Sequence, residues 1–226
     1  MAIAYGNKLF ESENTNIAVS QLLGANVAAG SLICIALAGK RSGSSLNVAS
    51  ISDTKGNVWD WKFYASTYRA VGVAWCRTSV AMTTADRITV TWNGTPTYCW
   101  KSAHSFTGAS GTPDDEKTAS GTGSTASATL DVTGSDWLTF SAIMLPDDYG
   151  VTATPLNSST SRDTNAHSSS SPWAECFSRN GTSGSTHTTG ASFVASLQYA
   201  IAAVSFPYEA LAAPAVTRSF AFLPGV

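Results

Sequence analysis

Alternating apolar and polar residues are the dominant pattern of this chain, and they predict strands. The segment 58–64 places aromatic residues at every second position with charged residues between them, which fits a strand with one buried face. The segment 87–92 alternates just as strictly. The segment 32–38 is instead apolar throughout, which is typical of a strand covered on both faces. No segment shows a convincing helical period.

The whole pattern predicts about ten or eleven short strands in a single antiparallel β-sandwich, with jelly-roll or Greek-key connections preferred. We expect this domain to span residues 15–206. An N-terminal arm, residues 1–14, precedes it, and a C-terminal tail rich in proline and aromatic residues, 207–226, follows it. Residues 107–128 are mostly small, hydroxyl-bearing or acidic, so we expect a long solvated loop there.

Composition narrows the classes of function. Hydrophobic residues make up 43% of the chain and charged residues only 12%, about half the usual share for a soluble domain, so hydroxyl groups must solvate much of the surface. The net charge of -2 leaves no basic excess, which argues against nucleic-acid binding. No apolar run approaches the ~20 residues that a membrane span needs. The N-terminal residues do not follow the pattern of a signal peptide, so export by that route is not expected.

The cysteines give no sign of a metal or redox motif. Cys34, Cys76, Cys99 and Cys176 are far apart, and none belongs to a C-x-x-C pair. Three of them lie in apolar strand patterns, which favours buried free thiols. A disulfide such as Cys76 to Cys99 is the alternative. Because no signal peptide is expected, we favour the reduced state.

Acidic residues cluster at Asp114-Asp115-Glu116 and at Asp147-Asp148. A glycosidase needs two carboxyl groups about 5 to 9.5 Å apart on opposite sides of a bond, which adjacent loop residues rarely provide. We expect solvated turn residues at both places, with Ca²⁺ coordination as the alternative. Asp53 with Asn57 is a second, weak candidate for calcium.

No nucleophile, general base or phosphate-binding loop is legible. The three histidines, His104, His167 and His187, are too dispersed to form a readable triad or metal site. Segment 121–123 is similar to part of a glycine-rich phosphate loop but lacks the strand and helix that such a loop requires. We therefore predict no catalytic residue, no metal ligand and no cofactor, and hence no enzyme.

The aromatic residues have two interpretations. Tryptophans that alternate along strands are mostly core residues, because each buries a large apolar area. The alternative is a sugar-stacking platform, since Trp59 and Trp61 share one strand face by parity, as do Tyr98 and Trp100. The sequence alone leaves open which face is exposed.

Four short motifs occur in order between residues 53 and 108. They are Asp53-x-x-Gly56-Asn57-x-Trp59, Val73-Ala74-Trp75-Cys76, Ile88-Thr89-Val90-Thr91-Trp92 and Ala103-His104-Ser105-Phe106-Thr107-Gly108. Together they resemble a β-sandwich domain that is widespread in bacteriophage virion proteins and bacterial surface proteins. The strand pair at 16–38 also fits the pattern of this domain.

The resemblance implies a structural or binding role and carries over no active site. It favours a non-enzymatic virion protein, either a tail component or a head decoration protein, that assembles in the host cytoplasm and packs with other virion proteins and copies of itself. Residues at the two ends that would contact neighbouring subunits are Tyr5, Leu9, Phe10, Phe220 and Phe222. A carbohydrate-binding or adhesion module that recognises surface glycans is the alternative function.

Overall fold

Every regular element in the described part of this computed structural model is a β-strand. The structure describes residues 2–66, 69–145, 151–165 and 173–209. The strands are β1 (Ala4–Asn14), β2 (Ala18–Leu22), β3 (Leu32–Lys40), β4 (Val48–Asp53), β5 (Asp60–Ala65), β6 (Ala70–Arg77), β7 (Arg87–Trp92), β8 (Tyr98–Thr107), β9 (Asp115–Asp131), β10 (Trp137–Leu145), β11 (Ala153–Pro155), β12 (Thr160–Asn165), β13 (Trp173–Gly181) and β14 (Thr186–Pro207).

The strands form three antiparallel sheets. The central sheet has the order β1-β8-β3-β6-β5. The small sheet has the order β2-β7-β4, and the large sheet has the order β11-β14-β10-β13-β12, with β9 also paired to β14. The expectation of an all-β, antiparallel sandwich is confirmed.

The central sheet is covered on both faces, which explains the unbroken apolar run of β3. Its even-numbered side chains, such as Leu32 and Cys34, pack in one core with Phe140 of the large sheet. The odd-numbered side chains, such as Ile33, pack in a second core with Val90 of the small sheet. A strand with two buried faces cannot alternate between apolar and polar residues, so its pattern becomes continuous.

A third core lies on the far side of the large sheet, where β9 and β14 fold back over it. These two strands pair along their whole length except for a break between Ser192 and Leu197. Beyond that break, Leu130 packs against Ile143 of the large sheet. Ser141 Oγ lies 2.8 Å from Thr189 Oγ1 and ties this flap to the sheet beneath it. The sandwich therefore has an additional layer on its outer side.

Three local expectations differ from the structure. Residues 107–128 were expected to form a loop, but β9 begins there, at residue 115. The sequence did not indicate this strand because its small residues show no alternation of hydrophobic and polar positions. Residues 4–14 of the predicted arm form β1, an edge strand paired with β8. The strand predicted over 58–64 begins two residues later, at Asp60, as β5. Of the predicted tail, residues 210–226 lie outside the described part.

The flap generates a testable prediction at Gly190, which has a φ of +134°. A Cβ at this position would collide with the carbonyl of Ala126 and approach Cα of Ser127 to 2.9 Å. We expect Gly190→Ala to lower the free energy of unfolding by about 2 kcal/mol or more, because strain and a backbone clash add together. Urea unfolding measures this loss.

Gly123, on the paired strand β9 of the same flap, is the matched control. Its nearest neighbour to an added Cβ is Thr125 N at 3.9 Å, an ordinary contact. Gly123→Ala should therefore change the stability by no more than about 0.5 kcal/mol. Equal losses in the two variants would contradict the close pairing of β9 with β14 at Gly190.

Candidate functional site

One carboxylate holds together the turn that carries the family resemblance. Asp53 Oδ1 accepts hydrogen bonds from the backbone N–H groups of Lys55 at 2.8 Å and Asn57 at 3.3 Å. Its Oδ2 accepts from Asn57 Nδ2 at 3.1 Å and from Trp59 Nε1 at 2.8 Å. Gly56 between them has a φ of +72°, which glycine adopts without strain. Each named residue of the motif therefore has a structural task.

Asn57 extends this turn to the loop after β6. Its Oδ1 accepts from Ser79 N at 2.9 Å and Ser79 Oγ at 3.0 Å. Asp86 closes the same loop by accepting from Thr54 Oγ1 and from Thr83 N, both at 2.7 Å. The hydrogen bonds from Thr54 and Thr83 lower the pKa of Asp86 to about 2. The motif thus joins two neighbouring turns into one rigid end of the sandwich.

The carboxylates considered for calcium are engaged in such bonds. Asp53 receives four hydrogen bonds, as described above, and Asp114 accepts from Thr133 N and Oγ1 at 2.8 and 2.7 Å. Asp115 accepts from the backbone of Asp131 at 2.9 Å and pairs with Lys117 at 2.7 Å. No group of three or more His, Cys, Asp or Glu side chains among the described residues is placed to hold a metal. Asp147-Asp148 lies outside the described residues.

Removing the Asp53 carboxylate should destabilise the fold. We expect Asp53→Ala to lower the free energy of unfolding by about 2 to 4 kcal/mol, because the substitution leaves the buried donors of Asn57 and Trp59 unpaired. Chemical denaturation followed by tryptophan fluorescence measures the loss. Asp60→Ala, at an exposed position of β5, is the control and should change little. A similar effect of both substitutions would refute the assigned role of Asp53.

A second polar cluster lies at one edge of the sandwich, between the central and large sheets. Ser102 and His104, on β8, are both fully buried. His104 Nε2 is 2.8 Å from Ser102 Oγ and 3.5 Å from Cys176 Sγ, and its Nδ1 is 3.3 Å from the Tyr5 hydroxyl. Ser102 Oγ lies 2.8 Å from Asp163 Oδ2. Side chains from four strands thus form one hydrogen-bonded cluster around His104 and Ser102.

The direction of these hydrogen bonds follows from the proton count. The Asp163 carboxylate can only accept, so Ser102 donates its single proton to it. His104 Nε2 must then carry a hydrogen and donate to Ser102, which leaves Nδ1 to accept from Tyr5. The resulting chain of donors runs from Tyr5 through His104 and Ser102 to Asp163.

Charged side chains close the outer end of this chain. Lys8 Nζ lies 2.7 Å from Asp163 Oδ2 and 2.8 Å from Glu11 Oε2. The Arg162 guanidinium lies over the Tyr5 ring, 4.0 Å from its centroid. The edge strand β1 is therefore fastened to β12 of the opposite sheet by ion pairing and by a cation–π contact.

The arrangement differs from that of a nucleophilic triad. In a triad the hydroxyl donates to the imidazole and a carboxylate holds the other ring nitrogen. Here Ser102 donates to Asp163 itself, and Tyr5 occupies the other ring nitrogen of His104. Burial raises the pKa of the Cys176 thiol well above its usual range, so this group is a neutral thiol. The cluster is arranged to join the two sheets.

His104 should be neutral across the physiological pH range. Burial first, and then the charges of Arg162 and Lys8, lower its pKa from 6.5 to about 3. Below pH 6.5 His104 binds a proton in the unfolded chain but not in the folded chain. Its contribution to the free energy of unfolding is therefore fully present above pH 6.5 and is lost as the pH falls toward 3. The loss contributed by this group is about 1.4 kcal/mol per pH unit in that window.

Nitrogen-15 NMR of the histidine rings tests this assignment. We expect the His104 signals to remain those of the neutral Nε2–H tautomer from pH 8 to about 4.5. Ser102→Ala, which removes the acceptor of the Nε2–H group, should change the His104 shifts without producing a titration near 6.5. A titration of His104 near pH 6.5 in the unmodified chain, or the Nδ1–H tautomer, would contradict the donor chain.

The structure places the sequence-predicted aromatic residues mostly inside. Trp59, Tyr98 and Trp100 are buried, and Trp61 is 36% exposed. Tyr98 and Trp100 belong to the core between the central and large sheets, whereas Trp59 lies in the core beneath the small sheet. Neither predicted pair presents two ring faces to solvent, because burying a large aromatic ring in these cores stabilises the fold more than leaving it on the surface.

The residues predicted to contact other subunits have partners inside the chain or lie outside the described part. Leu9 and Phe10 are buried in the core beneath the small sheet. Tyr5 is partly buried and meets Phe106 edge to face, with ring centroids 5.7 Å apart. Phe220 and Phe222 lie outside the described residues.

Sequence reasoning missed two buried charged side chains. Glu175 is 4% exposed, and burial raises its pKa to about 7, while hydrogen bonds from Ser161 and Thr164 act in the opposite direction. Lys101 on β8 is only 1% exposed. Alternation offered a signal for Glu175, since it shares a strand face with Trp173 and Phe177 in a short apolar segment.

The outward face of the small sheet is nearly uncharged and consists mostly of short side chains. Its registers align Ser20, Thr89 and Ser52 in one row across the three strands. The next row consists of Ala18, Thr91 and Ser50. Arg87 is the only charged side chain facing outward on these strands, all of whose residues are described. Beside the rows, Ile17 and Leu22 are each 46% exposed.

No protein-family model, curated protein or solved structure matches the chain significantly. None of the described residues forms a helix that could cross a membrane. The fold and the surfaces of the molecule must therefore support any functional proposal.

Proposed function

We propose that this chain is a non-enzymatic structural protein of a bacteriophage particle, either a tail component or a head decoration protein, that packs against other subunits. The observation that carries this proposal is the charge-poor outer face of the small sheet. Interfaces between protein subunits are depleted in charged residues at their centre, whereas a solvated face usually carries them. Copies of this chain are the partners that we assign to this face.

The organisation of the rest of the molecule agrees with a structural role. The polar groups that resemble catalytic residues, around His104 and around Asp53, are engaged in bonds that hold strands and turns together. The Asp53 turn also gives a physical basis for the resemblance to virion domains, since the named motif residues are those that build it. Assembly in the host cytoplasm would keep the four described thiols free, as they are in the fold.

The glycan-binding alternative has less support. A sugar ring is commonly held by an exposed aromatic face with convergent polar groups. Of the four aromatic residues considered for such a platform, only Trp61 is substantially exposed. A glycan array probed with the purified chain and with Trp61→Ala would revive this alternative if binding appeared and then disappeared with the substitution.

A charge placed in the centre of the outer face should disrupt self-association. Thr89→Lys adds a cation beside Arg87, and a symmetric contact would bring two such pairs together. We expect self-association to weaken at least about tenfold, which corresponds to about 1.4 kcal/mol, with little change in unfolding. Sedimentation equilibrium of the purified chain measures the effect.

Thr122→Lys on the exposed side of β9 is the matched control and should associate like the unmodified chain. A chain that is strictly monomeric at high concentration would contradict the assigned face. Mass spectrometry of purified phage particles tests the wider proposal independently, and absence of the chain from those particles would refute a virion role.

A further inference from the structure

Lys101 and Cys99 form an isolated buried pair on β8. Lys101 is 1% exposed and Cys99 is fully buried. Two residues apart on one strand, their side chains project from the same face, and Lys101 Nζ lies 3.9 Å from Cys99 Sγ. No carboxylate among the described residues pairs with Lys101, so the thiol is the polar group its amine meets. A buried amine without a counter-ion is costly and calls for a chemical explanation.

The thiol donates its hydrogen to Asn14, which leaves the sulfur to accept from the Lys101 amine. Cys99 Sγ lies 3.0 Å from Asn14 Oδ1 and 3.2 Å from the Asn14 backbone oxygen. Asn14 is in turn held by Ser12, whose Oγ accepts from Asn14 Nδ2 at 3.2 Å and from Gln21 Nε2 at 2.9 Å. The thiol, the amide and the amine therefore form one small polar cluster beside an otherwise apolar core.

The protonation states of the pair suit nucleophilic attack by nitrogen. Burial lowers the pKa of Lys101, which increases the share of neutral amine, the nucleophilic form. Burial raises the pKa of Cys99, and the Lys101 charge and the hydrogen bonds at the sulfur partly oppose that rise. Once the sulfur of such a thiol is oxidised, it becomes an electrophile that the neighbouring neutral amine can attack.

We propose that Cys99 and Lys101 form a covalent sulfur–nitrogen bridge, a sulfenamide, when the protein meets a hydroperoxide. In the first step Cys99 Sγ attacks a peroxide oxygen: the S–O bond forms, the O–O bond breaks, and a sulfenic acid and one water result with hydrogen peroxide. In the second step Lys101 Nζ attacks the sulfur: the N–S bond forms, the S–O bond breaks, and the departing hydroxide leaves as water with an amine proton. The sulfur loses two electrons and the peroxide gains them.

Entry of the oxidant requires only a local opening. Cys99 pairs with Asn14, the last residue of β1, and β1 is the edge strand of the central sheet. Strand ends open at a small fraction of the cost of global unfolding. Fraying of residues 12–14 would admit a peroxide to the sulfur, and reclosing would return Lys101 to within a short movement of it. The 3.9 Å separation needs to shrink by only about 0.5 Å to reach a near-attack distance.

Mass spectrometry of the folded full-length chain tests the proposal. After treatment with hydrogen peroxide and alkylation of the remaining thiols in denaturant, we expect a mass about 2 Da lower at the bridged residues and one thiol fewer to alkylate. Trypsin should no longer cleave after Lys101, because its amine is blocked. Dithiothreitol should restore the original mass, the thiol and the cleavage. Peroxide added to the unfolded chain should give little of this product.

A disulfide would also remove two hydrogens, so two variants separate the possibilities. The mass loss should disappear in Lys101→Met and persist in Cys76→Ala. A mass loss that persists in Lys101→Met would overturn the proposal, as would an unchanged mass or a Cys99 oxidised to sulfinic acid beside a cleavable Lys101. The peptide mapping on the unmodified chain decides the matter by itself if a variant fails to fold.

Discussion

The burial of the central sheet on both faces is the constraint on which the rest of the structure depends. Each side chain of β3 from Leu32 to Ala38 is buried, so neither face of this strand can be solvated. The small sheet must cover one face and the large sheet the other, and both need apolar inward residues in register. Polar side chains that enter these layers are more stable with partners, because an unpaired buried donor or acceptor costs about 1 to 3 kcal/mol.

The polar clusters follow from this constraint. The Asp53 carboxylate accepts hydrogen bonds from the turn backbone and from the buried Trp59 indole. Asn57 links this turn to the next loop by a further hydrogen bond. The His104 cluster solves the same problem between two sheets, with one charged residue, Asp163, at the end of a chain of donors. The side chains around Asp53 and His104, which in isolation would suggest catalysis, thus hold turns and strands together. Lys101 is the exception, and its thiol neighbour gives it a different chemistry.

Such a fold leaves its outer surfaces for recognition. With few charged residues available, the chain solvates itself through serine and threonine on exposed strand faces such as those of β9 and the small sheet. A face of short side chains can pack closely against another such face, since it loses little side-chain entropy on contact. That property suits a protein that assembles in many copies, and it links the low charge of the sequence to the proposed role in a virus particle.

The sequence by itself determined the class of fold, the strands with strong periodicity and the structure of the Asp53 turn. These features depend on neighbours in the chain: alternation along β7, the apolar run of β3 and the turn chemistry of Gly56. Only the tertiary structure decided that β9 is a strand, because its small residues gain their order from pairing with β14. Burial of Trp59 and Trp100, convergence on His104 and the contact of Lys101 with Cys99 were likewise decided by packing. Each depends on which strands become neighbours, a long-range choice that no local pattern records.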